Sequence, residues 1–131
     1  MSFRLWIPVL PDLDLSANRR RSRHYMAQAR DTATERERAM AELAIAMSHV
    51  KQVTPITGPV SLWWTLHWPK GTRARDADGC ADLLKAWIDA MKDLGWIAND
   101  SPRYVRWVAY EPVPSSPRGP GMELVIEPVE E

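Results

Sequence analysis

The chain of 131 residues is 45% hydrophobic and 26% charged, and its 17 basic side chains are balanced by 17 acidic ones. Such a composition supports one globular domain with a core of its own and excludes a disordered or fibrous chain. A single cysteine, Cys80, excludes an intramolecular disulfide and a cysteine-based zinc site. No apolar run reaches the length of a membrane helix, and Met1-Ser2-Phe3-Arg4 lacks the layout of a signal peptide, so a cytoplasmic location is expected. Zero net charge counts against a chain that lives on nucleic acid, but the charge is unevenly spread. Arg19, Arg20, Arg21, Arg23 and Arg30 fall in an acid-free run, while Glu123, Glu127, Glu130 and Glu131 crowd the C-terminus.

Phe3, Leu5, Ile7 and Val9 alternate with Arg4, Trp6 and Pro8, the period-two pattern of a half-buried strand closed by Pro11. Residues 12–30 show no clean periodicity and read as a basic loop or arm. Either it is a solvated loop or it grips nucleic acid, with Tyr25 and His24 offering stacking faces among the arginines. Thr34 and Glu37 have capping-box spacing and are followed by Met40, Leu43, Met47 and Val50 at helical spacing, which predicts a first helix. After Pro55 and Gly58-Pro59, Val60, Leu62, Trp64, Leu66 and Trp68 define one face of a second strand. Ser61, Trp63, Thr65 and His67 take the other face, and His67 reads as a strand-face residue. A second helix is predicted from about Cys80 to Leu94, with Leu84, Trp87, Ile88 and Met91 inward and Gly95 as its C-cap. Third and fourth strands follow, the latter with Met122, Leu124 and Ile126 on one side. The order, with a hairpin at the end, predicts an α+β domain spanning 1–131: a mixed four-stranded sheet with two main helices.

Chemistry concentrates between residues 70 and 100. Asp76 and Asp78 stand at the mouth of the second helix, and Asn99-Asp100 lies just past its far end. If the chain folds back, these carboxylates can converge on a hard divalent cation, which takes oxygen ligands, water and substrate phosphate. Lys70, Arg73 and Arg75 before the pair suit a phosphate-bearing substrate. Lys85 lies about two turns beyond Asp78, within reach of a phosphate held there. Lys85 and Asp89 also have the spacing of an ordinary helical ion pair, and the aspartate pair that of helix-dipole capping. Glycine-rich nucleotide motifs and a supported Ser-His-Asp set are missing from the sequence.

The ordered set Arg75-Asp76-Ala77-Asp78, Leu84-Lys85-Ala86, Asp89-Ala90, Gly95, Asn99-Asp100 and Val105 resembles the core of the RusA family of Holliday junction resolvases. The resemblance spans about residues 73–110 and extends more weakly to both ends. It implies a small homodimer that binds four-way DNA junctions and nicks symmetric strands with Mg²⁺, for which Mn²⁺ could substitute. It further implies that Asp76, Asp78 and Asp100 hold the metal, that Lys85 supports catalysis, and that Arg19, Arg20, Arg21, Arg23, Lys70, Arg73 and Arg75 contact DNA. Gly79 stands where the family usually has asparagine, and the step from Asp78 to Lys85 is longer than in its best-known member. A catalytically inactive branched-DNA-binding protein of the same fold is the alternative. Trp63, Trp64, Trp68 and Trp107 offer apolar surface for a core or for a dimer interface.

Overall fold

The computed structural model describes residues 2–11, 25–50, 56–73 and 77–129. Its elements run β1 (Phe3–Ile7), α1 (Tyr25–Ser48), β2 (Val60–His67), α2 (Ala77–Asp93), β3 (Val105–Val113) and β4 (Gly121–Pro128). The four strands form one mixed sheet in the order β1-β4-β2-β3. β4 is antiparallel to both β1 and β2, whereas β2 and β3 are parallel. With two helices the architecture is α+β, as the element order predicts.

Two expectations are corrected. The terminal strands do not form a hairpin, because β2 lies between β3 and β4. Parallel pairing of β2 with β3 needs a crossover, which α2 supplies, and β4 then returns to fill the slot between β1 and β2. α1 also begins at Tyr25 and not near Thr34, so residues 25–30 of the predicted basic arm are helical. Alanines carry the helix through this segment, and Thr34 with Glu37 sit inside it, where the capping-box pattern has no orphan N–H groups to satisfy.

Period-two alternation puts Leu5, Ile7, Val60, Leu62, Trp64, Leu66, Met122, Leu124 and Ile126 on one side of the sheet, all buried. Against them pack Ala39, Leu43 and Met47 of α1 and Leu83, Leu84, Trp87, Ala90 and Met91 of α2. Each large side chain taken fully from water contributes about 1.5–3 kcal/mol. Trp68, just past β2, is equally buried, so Trp64 and Trp68 belong to the core and not to any interface. Arg38 ties the first turn after β1 to the helices. It donates to the Leu10 carbonyl at 2.8 Å, pairs with buried Glu35 at 2.7 Å and lies over the Trp87 ring. Arg36 makes a bidentate pair with Asp93 across the two helices. That contact holds the Asp93 carboxyl below its ordinary range.

The far end of β2 is pinned by His67, whose Nδ1 lies 2.7 Å from the Ser116 Oγ. The Ser116 N–H donates to the Trp68 carbonyl at 2.8 Å, which draws the loop between β3 and β4 over the strand end. Gly119 approaches this end so closely that a Cβ there would stand 2.7 Å from the His67 carbonyl oxygen. His67 is thus a buried structural residue of the strand end. Burial, and secondarily the charge of Arg118, lower its pKa.

Candidate functional site

The second helix ends as its sequence predicts. Gly95 adopts φ +78°, its N–H donates to the Lys92 carbonyl at 3.0 Å, and the Trp96 N–H donates to Met91 at 3.0 Å. This pair of bonds is a Schellman motif, which needs a left-handed residue at the turn and suits glycine. It reverses the chain so that Trp96 and Ile97 return into the core, and residues 99–101 pass beside the helix they have just left. Asn99 Oδ1 then accepts the N–H groups of Asp100 and Ser101, at 2.7 and 3.3 Å, forming the side-chain turn that asparagine favours.

The reversal brings Asp100 to a cavity of about 310 Å³ on the solvent side of α2, lined by Ala81, Asp82, Lys85, Ile88, Asp89, Asp100 and Tyr110. Helical periodicity explains the lining, since Asp82, Lys85 and Asp89 recur at three- and four-residue spacing on one stripe, away from the buried Leu83, Leu84, Trp87 and Met91. Tyr110 comes from the helix-facing side of β3. Burial in the first place, with nearby Cys80 and Asp82, raises its phenol pKa.

Asp89 and Asp100 share a side-chain hydrogen bond. Partial burial, that hydrogen bond and the charge of Asp100 all raise the Asp89 pKa, while Arg36 and Lys85 pull it back. Two carboxyls this close cannot both ionise freely, and the natural ways to relieve them are a shared proton or a bound cation. The donor atoms are hard oxygens, which suits Mg²⁺ or Mn²⁺ better than a soft metal. Among the described residues, no group of three acidic, histidine or cysteine side chains is arranged to hold a metal.

The predicted site residues are therefore divided. Lys85 and Asp100, distant in sequence, line the same cavity. Asp78 is in the first turn of α2, but its side chain, together with Asp76, Arg75, Arg19, Arg20, Arg21 and Arg23, lies outside the described residues. Lys70 and Arg73 are exposed on the turn after β2, where the Thr72 N–H donates to the Pro69 carbonyl. Sequence reasoning missed Asp89 as a site residue by reading it as the surface partner of Lys85. Its place on the Lys85 stripe, before a glycine-capped reversal that returns a second acid, was the available signal.

No family model matches the chain, and no curated protein matches it either. Among the described residues, no helix is long and apolar enough to cross a membrane.

Proposed function

We propose that the protein is a Mg²⁺-dependent endodeoxyribonuclease of the RusA type that cuts branched DNA, four-way junctions above all, by phosphodiester hydrolysis. The observation that carries this reading is the meeting of Lys85, Asp89 and Asp100 around one solvent-facing cavity on the helix whose first turn includes Asp78. The ordered likeness of residues 73–110 to that family supports it.

Asp76, Asp78 and Asp100 would hold the metal, with Asp89 against Asp100. Bound by these carboxylates, a divalent cation would supply charge neutralisation at the phosphate and activation of the attacking water. The chain's own groups do the rest. Lys85, exposed at the rim, offers an ammonium to the non-bridging phosphate oxygens as negative charge builds up on them. Asn99 fixes the backbone that carries Asp100, and Asp89 orients the Asp100 carboxyl through their hydrogen bond. Lys70 and Arg73, with Arg75 and the arginines from Arg19 to Arg23, would neutralise flanking DNA phosphates, making binding steeply dependent on salt.

The test is incubation of a labelled synthetic four-way junction with the protein in Mg²⁺ or EDTA, using linear duplex as the control substrate. Wild type should make paired nicks only with Mg²⁺ or Mn²⁺, and Asp78→Asn should make none. Cleavage by Asp78→Asn at the wild-type rate would contradict the assignment. Junction binding without cutting would make the chain a DNA-structure-binding relative instead.

A further inference from the structure

A phosphodiester presents acceptor oxygens and negative charge, so a site that takes one needs hydrogen-bond donors around it. The cavity beside α2 has few. Asp82, Asp89 and Asp100 are acceptors once ionised, Ala81 and Ile88 are apolar, and Lys85 and Tyr110 are the lining side chains left to donate. They reach the cavity from different elements. Lys85 is exposed on α2, whereas Tyr110 belongs to β3, in register with Trp64 of β2. Alternation along β3 puts Trp107, Ala109 and Glu111 on the open side of the sheet and Tyr110 on the helix side.

The Tyr110 ring is half-buried and packs against the hydrophobic core, a space that phenylalanine would fill equally well. Its hydroxyl is another matter. A phenol sunk among packed side chains usually finds a partner for its O–H, and among the described residues this one has none. The buried side-chain polar atoms that lack a partner there are the Nε1 groups of Trp64, Trp68 and Trp87, so the Tyr110 hydroxyl is not sealed in the interior and opens to the cavity that Tyr110 lines. Burial, with nearby Cys80 and Asp82, holds the phenol above its ordinary 10.0, so it keeps its proton and remains a donor at neutral pH. A donor fixed in advance by a packed ring needs no reorganisation when charge develops in front of it.

We propose that Tyr110 is a further catalytic residue, whose O–H donates to a non-bridging oxygen of the scissile phosphate from the floor of the cavity while Lys85 meets the same phosphate from the rim. The inference rests on the nuclease reading and adds to it a group carried by the sheet. Negative charge growing on that oxygen strengthens the bond, so its loss slows the chemical step. Junction affinity, dominated by flanking phosphates, is left nearly unchanged.

The test is single-turnover cleavage of a four-way junction in Mg²⁺ by wild type and Tyr110→Phe, with oxygen or sulfur at each non-bridging position of the phosphate that wild type cuts. Tyr110→Phe should cut the all-oxygen junction slower by about tenfold or more, with its junction affinity and urea midpoint unchanged. Sulfur is a poor hydrogen-bond acceptor, so at one of the two positions it should slow wild type by a larger factor than it slows Tyr110→Phe. Contributions common to both proteins cancel in that ratio. Cleavage by Tyr110→Phe at the wild-type rate overturns the inference and leaves the nuclease reading standing. Equal sulfur factors in the two proteins at both positions also overturn it, whatever the rate, because Tyr110 would then act through packing alone. A wild type that cuts no junction removes the nuclease reading and this inference with it.

Discussion

Trp63 and Trp64 are neighbours on one strand, and they meet opposite fates. Trp64 is fully buried beneath the helices, while Trp63 is more than half exposed on the opposite face. The same residue type therefore meets two environments, filling a packed core on one side and leaving apolar surface exposed on the other. The candidate site belongs to neither face. It lies on the solvent side of α2, which the sheet supports from below through Tyr110.

The sharpest way to break this comparison is truncation. Trp64→Ala should destabilise the protein by about 3–5 kcal/mol in urea unfolding, because it leaves a large cavity in a packed core. Trp63→Ala should change the stability by no more than about 0.5 kcal/mol. Equal losses would show that both faces are core.

The next effects depend on pH. The Asp89 carboxyl has a folded pKa raised above its ordinary 3.8, so its contribution to stability is present at low pH and is lost as pH rises through the raised value. Asp89→Asn should therefore gain stability over wild type as pH climbs from about 4 toward neutrality, and added Mg²⁺ should narrow that gap by stabilising wild type. A difference between the two that does not vary with pH would mean that Asp89 and Asp100 do not oppose one another.

On the other side of the sheet the sign reverses. His67 has a folded pKa below its ordinary 6.5, so the unfolded chain binds the proton first. Its contribution is complete above pH 6.5 and declines as pH falls below it. His67→Asn should flatten the dependence of the unfolding midpoint between pH 7.5 and 5.5, the smallest of these effects. An unchanged slope would remove His67 as its source.

Much of the scaffold was legible because its signals are local. Alternation along residues 60–68 and 122–126 put the right side chains in the core, and Gly95 marked the helix end. What was not legible depends on distant partners. Nothing near β4 says that it will insert between β1 and β2, so adjacency in sequence suggested a hairpin that does not form. Thr34 and Glu37 imitate a helix start, though the true start is set by the alanine-rich turns before them. The site was half legible. Lys85 and Asp100 were readable from spacing and resemblance, but the pairing of Asp89 with Asp100 requires the chain reversal at Gly95. Likewise Ser116 could be assigned to His67 only once the loop after β3 had been traced.

Of the three acids expected to hold a metal, Asp100 is the one whose side chain the structure locates at the cavity. Its replacement is therefore the most direct test of the central claim. In single-turnover cleavage of a four-way junction with Mg²⁺, Asp100→Asn should be slower than wild type by about 10²-fold or more, with junction affinity retained. Cleavage at the wild-type rate would contradict the account.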